Sequence, residues 1–180
     1  LAKSAPADAT APKKAVEIPK NNLIQNPGFE AISGEMPKIW KPRNYSGKAT
    51  HKIVSPGRGG KGYAVMIESD SGADSSVFID VKVKKRTTYE LTAWIKTEGV
   101  KTLRGGRGAQ LNLHALPDQP RTAAIKGDKD WTRVSVRFKT DDRGTVGINC
   151  LYGGWGHATG KAYWDDIELV QIDAGQGPDI

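Results

Sequence analysis

The stretches VFIDVKV (77–83) and YELTAWI (89–95) decide the fold class. Val77, Ile79, Val81 and Val83 recur at every second position of the first, and Tyr89, Leu91, Ala93 and Ile95 do so in the second. A period of two sends alternate side chains to opposite faces of an extended chain, so each stretch reads as a strand with one buried face. Outward from this pair the texture repeats. GYAVMIE (62–68) offers Tyr63, Val65 and Ile67, and AQLNLHA (109–115) offers Ala109, Leu111, Leu113 and Ala115. TRVSVRF (132–138) offers Val134, Val136 and Phe138; TVGINCLY (145–152) offers Val146, Ile148, Cys150 and Tyr152; AYWDDIELV (162–170) offers Tyr163, Ile167 and Leu169. Turn formers separate the runs, among them Pro56-Gly57, Gly59-Gly60, Gly105-Gly106, Asp118, Asp141-Asp142 and Gly153-Gly154. No segment keeps a 3.6-residue period over three turns. Many short strands with glycine-rich turns imply an all-β sandwich or barrel of antiparallel sheets.

At 180 residues the chain is long enough for one domain with its own core. Cys150 is its one cysteine, so no internal disulfide staples it. No apolar run approaches the roughly 18 residues a membrane span needs, so no membrane partner is expected. The sequence opens on Leu1 rather than Met and shows no signal-peptide pattern, so it is expected to be a mature or excised piece of a longer protein. Residues 1–20, rich in Ala, Pro and Lys, hold no aromatic residue and read as a flexible linker. Residues 173–180 read as a C-terminal tail.

The net charge is +7. Four lysines against Asp8 and Glu17 leave +2 in the linker and +5 in the rest. Such a balance attracts nucleic acid or acidic polysaccharide, or simply marks a solvated basic surface; the expectation here is no nucleic-acid partner. The sequence lacks G-x-S-x-G, H-E-x-x-H, a phosphate loop and C-x-x-C. GRGGKG (57–62) has neither the spacing nor the Ser/Thr of a phosphate loop, and RGGRG (104–108) reads as a hairpin loop. His51, His114 and His157 show no metal-ligand spacing. Asn44-Tyr45-Ser46 matches a glycosylation acceptor. No carboxylate pair suggests glycosidase work, and no catalytic residue is assigned.

NLIQNPGFE (22–30) and AYWDDIEL (162–169) stand at the two ends of a pattern, with YELTAWIKTEG (89–99) and WTRVSVRFKT (131–140) between them. Over residues 21–172 this resembles the carbohydrate-binding modules of families 4, 9 and 22. The resemblance implies a jelly-roll β-sandwich that binds polysaccharide without catalysis, as a monomeric part of a larger multidomain chain. That parent is expected to be bacterial, and secreted, periplasmic or on the cell surface. It also implies a structural calcium ion where the first and last strands meet. Its ligands are expected from the Gly28 carbonyl, the Glu30 and Asp165 carboxylates and, more loosely, a carbonyl near Arg58. Calcium takes six to eight oxygens from such a mixture. Asp165 shares the parity of Ile167 and Leu169 and is expected to point inward, where a carboxylate needs a partner; Asp166 is expected outside. Backbone amides at a sheet corner are the other partner Asp165 would accept.

In such a fold a sugar lies on an outward sheet face or at the loop tips. The face residues by alternation are Trp94, Gln110, Asn112, His114 and Asn149, with Arg133, Ser135 and Arg137 beyond them. An aromatic ring covers the apolar face of a pyranose while amides meet its hydroxyls. Polar residues also line the wet side of any antiparallel sheet. The tip candidate is Trp155 in YGGWGHATG, with His157 and Tyr152. Trp40 and Trp131 are expected to pack, and Trp164 faces opposite to Ile167. Two other functions use the same residues: a packing sandwich with no sugar site, and a jelly-roll polysaccharide lyase using Gln110, His114 and an arginine. The lyase would also need an outward tyrosine, and the alternation supplies none.

Overall fold

A computed structural model describes residues 20–172. The linker, except Lys20, and the tail lie outside the described residues. The strands are β1 (Ile32–Ser33), β2 (Met36–Pro37), β3 (Lys41–Gly47), β4 (Thr50–Val54), β5 (Ala64–Lys82), β6 (Thr88–Leu103), β7 (Gly108–His114), β8 (Gly127–Lys139), β9 (Thr145–Gly153) and β10 (His157–Gln171). A 3-10 turn, Arg58–Gly60, precedes β5. All pairings are antiparallel. β5 joins the layers. Its first part pairs with β4 through Glu68 and with β10 through Ser69 and again at Ala73, and its second part pairs with β3 from Ala73 and with β9 from Ser75 onward. One layer therefore runs β4-β5-β10-β6-β8, and the other β3-β5-β9-β7. The result is a β-sandwich of the jelly-roll type.

The inner faces are the alternating sets. Leu91, Ala93, Ile95, Ile167 and Leu169 come from one layer, and Val77, Leu111, Leu113, Ile148 and Cys150 from the other; each is fully buried. Each Val, Leu or Ile side chain among them stabilises the fold by about 1.5–3 kcal/mol. Trp40 is a packing residue, as expected: it sits edge-on to buried Phe29 at 5.1 Å. Trp131 is half-buried.

Four expectations about β10 are corrected, and they share a cause. Pairing with β6 slips between Asp165 and Glu168, where β10 carries one extra residue, and Asp166 has φ 50°. A bulge of this kind breaks the alternation. Trp164, expected outside, is fully buried and donates Nε1–H across the sandwich to the Gln110 carbonyl at 3.1 Å. Tyr163, expected inside, is partly exposed and donates to Glu98 at 3.1 Å. Asp165 pairs opposite Trp94, so it lies on the outer face of its layer, buried beneath the 57–62 loop. Asp166, expected to be exposed, is 7% exposed. Two smaller corrections follow from chain direction. Ala115 is exposed at φ 63° because β7 has already ended. RGGRG is no hairpin: β6 and β7 lie in different layers, and the loop crosses between them.

Candidate functional site

The outer face of the β3-β5-β9-β7 layer forms cross-strand rows. Gln110 stands beside Leu151 and Ser76, Asn112 beside Asn149 and Phe78, and His114 beside Gly147 and Asp80. Gln110, Asn112, His114 and Asn149 thus share one face, as alternation implied. The register of β3 slips between Asn44 and Ser46, which throws Tyr45 out over this face. Asn149 Nδ2–H donates to the Tyr45 hydroxyl at 3.3 Å, and the Tyr45 ring stacks on His114 at 6.3 Å. Burial, then the nearby Arg43 charge, hold the His114 pKa below its usual value, with Asp80 opposing.

Trp155 closes the other side. It sits at φ 59° between Gly154 and Gly156 and is 43% exposed. The Asp74 carboxylate holds this loop by accepting the Gly154 and Trp155 amides, the former at 3.3 Å. Burial raises the Asp74 pKa, and those amide bonds and the His157 charge pull against the shift. Between these walls lies a groove of about 290 Å³, lined by Tyr45, Asp74, Asn112, His114, Asn149 and Trp155 among others. That is near the lower bound for small-ligand pockets, roughly 300 Å³.

Asn112, His114 and Asn149 of the face and Trp155 of the tip therefore line one groove, with Gln110 under the Trp155 loop beside it; Trp94 does not. Trp94 lies on β6 in the opposite layer, where Arg58 stacks on its ring at 4.4 Å. Arg133, Ser135 and Arg137 lie in that layer as well. Alternation assigns a side of a strand but not a layer. Two tip residues also serve elsewhere: Tyr152 is fully buried and donates to the Gly160 carbonyl at 2.7 Å, and His157 contacts Ser46 at 2.8 Å. The expectation that no outward tyrosine accompanies Gln110 and His114 is corrected by Tyr45. Its strand, KPRNYSG, is polar throughout and gives no alternation from which to find it. Asp74 was missed for the same reason, within a polar stretch of β5.

Two amide oxygens of the groove lining, Asn112 Oδ1 and Asn149 Oδ1, are shielded from solvent without a hydrogen-bond partner among the described residues, as are Ser76 Oγ and Gln110 Nε2 beside them on the same face of the layer, and Thr97 Oγ1 elsewhere. Each such group costs about 1–3 kcal/mol when left unpaired, so a cluster on one face calls for a ligand that pairs them.

At the opposite corner the NPGFE segment straps across β10. Asn22 and Leu23 bond to the β10 backbone, and Ile167 N–H donates to the Pro27 carbonyl at 2.9 Å. This brings Gly28, Glu30, Arg58, Asp165 and Asp166 together. Asp165 accepts the Arg58 and Asp166 amides, each at 2.8 Å; Asp166 accepts Arg58 Nε–H at 2.7 Å; Glu30 accepts the Tyr63 amide at 3.2 Å. A Cβ on Gly28 would lie 3.3 Å from Asp166 Oδ1 and 3.7 Å from Glu30 Oε1. Glycine leaves these carboxylates room to share a ligand.

A family model described as a carbohydrate binding domain matches residues 21–149. The chain belongs to this carbohydrate-binding family. Solved carbohydrate-binding modules share its fold. TmCBM61, in complex with β-1,4-galactotriose, superposes with a TM-score of 0.58 at 20% identity, covering 84% of this chain and 99% of that one. The CBM22-1 xylan-binding domain of Paenibacillus barcinonensis Xyn10C gives 0.51 at 12%, covering 82% and 93%. The arabinose-bound α-L-arabinofuranosidase MgGH51 gives 0.59 at 13%, covering 88% of this chain and 27% of that one. The carbohydrate-binding domain thus spans the length of a free-standing module and about a quarter of that enzyme. A search of curated proteins by sequence gives no match. No helix among the described residues is long and apolar enough to cross a membrane.

Proposed function

We propose that this carbohydrate-binding domain takes its saccharide in the groove between Tyr45–His114 and Trp155. On this reading it holds a larger, secreted bacterial protein on polysaccharide and does no chemistry itself. The cluster of shielded, unpartnered amide atoms on Gln110, Asn112 and Asn149 carries the reading. Sugar hydroxyls donate and accept, so they suit an amide floor, while the Tyr45 and Trp155 rings cover C–H faces. Calorimetry against a panel of soluble polysaccharides tests it. Asn149→Ala and Trp155→Ala should each weaken binding about tenfold or more, with Trp94→Ala unchanged. Loss of binding in Trp94→Ala alone would move the site to the other layer.

The Tyr45–His114 pair favours one second reading, a lyase acting by β-elimination. Unsaturated product from alginate would carry it, and its absence would leave the binding module.

A structural calcium ion at the strap is the remaining proposal. Glu30, Asp165 and Asp166 bring carboxylate oxygens to one corner, where the Arg58 guanidinium pairs with Asp166 and Gly28 places no side chain against them. That donor chemistry fits a hard cation. Glu30 and the Asp165–Asp166 pair would hold it, with carbonyls near Gly28 and Arg58. Its chemistry there is charge neutralisation that ties the first segment to β10.

A further inference from the structure

Arginines surround the groove, and their charge is not spent. Arg107 and Arg121 lie against the Trp155 ring, 4.8 and 5.2 Å from its centroid. Arg43 stacks on Phe78 at 3.7 Å and donates to the Tyr45 hydroxyl at 3.2 Å. Among the described residues none of these three forms a salt bridge, whereas Arg58, Arg86, Arg137 and Arg143 each hold a carboxylate. A guanidinium stacked on a ring still presents its in-plane N–H groups, and their fork matches a carboxylate; Arg121 gives one Nη1–H to the Gln119 carbonyl at 3.2 Å and has its other N–H groups left for an anion.

Arg121 is also aimed. It pairs with Asn112 in an antiparallel bridge beyond the edge of β7. Directly paired residues project to the same side of a sheet, so Arg121 shares the groove face with Asn112. Two carboxylates face this region. Asp74 is engaged by the amides of the Trp155 loop, and Asp80 lies beside Gly147 at the His114 end. Neither pairs with Arg121 or Arg107. Beside Trp155 the groove therefore offers buried amides for hydroxyls next to an uncompensated fork for an anion.

We infer that the saccharide is acidic: a uronate whose ring lies over Asn112 and Asn149 and whose carboxylate is held by Arg121, with Arg107 adding charge. This rests on the groove being the sugar site. The test is calorimetry with oligomers of galacturonate, glucuronate, mannuronate and guluronate, each beside its carboxyl-reduced counterpart, at low and high salt. At least one acidic oligomer should bind tenfold or more tighter than its reduced form, because bonds to a charged group are the stronger ones. High salt should narrow that gap. R121Q should remove the preference, bringing the acidic oligomer's affinity to that of its reduced counterpart. Equal affinity for every acidic and reduced pair, with Asn149→Ala still damaging, overturns the acidic ligand and leaves the groove standing. Acidic binding indifferent to Asn149→Ala, or displaced equally by DNA, reflects surface charge alone and overturns it too. No binding to any oligomer or neutral polysaccharide overturns both readings.

Discussion

Gln110 and Gly154 show how single residues build the groove. The Gln110 amide lies under the Trp155 loop, where a Cβ on Gly154 would stand 2.7 Å from Nε2, and Gly154 holds φ 68°. Only glycine meets both conditions easily. Gly154→Ala should cost about 1–3 kcal/mol in urea unfolding and weaken sugar binding by displacing the amide. Gly34→Ala is the control: its φ is 64° with nothing within 4 Å, so stability should fall by about 1–2 kcal/mol with affinity unchanged. Equal effects of both on binding would break the link between Gly154 and the site. His51 gives a pH signature. Burial lowers its pKa from 6.5, and Nε2 contacts Ser75 Oγ at 2.6 Å. The unfolded chain then binds the proton more readily than the folded one. Stability present above pH 6.5 is lost as pH falls from 6.5 toward the depressed folded value. Melting temperature across that window should fall less steeply in His51→Asn than in the parent.

Among the strands, β6 and β10 show what alternation can reveal. In β6 the sequence period continues unbroken from Tyr89 to Ile95, and all four expected core residues are buried there. In β10 the same pattern misplaced Trp164, Tyr163 and Asp165, because one inserted residue reverses parity and no local composition announces it. β5 was legible at both ends, in Val65 and Ile67 and again in Val77 to Val81, but its polar middle concealed that one strand serves both layers. The candidate groove was legible where it sits on β7 and β9 and illegible on polar β3, and the separation of Trp94 from it was hidden because pairing across layers is not a local property. The β10 bulge also carries a prediction. Asp165 accepts two amides, from Arg58 and Asp166, so Asp165→Asn must turn an N–H₂ donor toward an N–H donor. A loss of about 1–3 kcal/mol should appear in thermal melts, with sugar affinity preserved because the groove lies on the other layer. A melt matching the parent would mean that the amides of the bulge are not held through Asp165.

Across the whole molecule, segments far apart in the chain are closed on one another at few points. β5 threads both layers, Trp164 Nε1 bonds through the core to β7, and the NPGFE strap ties the first described segment to the last strand. The strap concentrates charge: it brings Glu30 to Asp165 and Asp166 of the last strand, and the Arg58 guanidinium pairs there with Asp166. Unfolding separates residues 28–30 from 165–166, so a cation held by all of them binds the native state and not the unfolded one. Its binding free energy then becomes stability. At a calcium concentration 100 times its dissociation constant the gain is about 2.7 kcal/mol. For a domain of this size that raises the melting temperature by about 5–10 °C. Chelator should reverse the rise, and Glu30→Ala should abolish the response to calcium while retaining the fold. Sugar affinity measured well below either melting temperature should be the same with and without calcium, since the strap and the groove lie on opposite layers. An unchanged melt on chelation, together with a silent Glu30→Ala, would remove the metal from the strap.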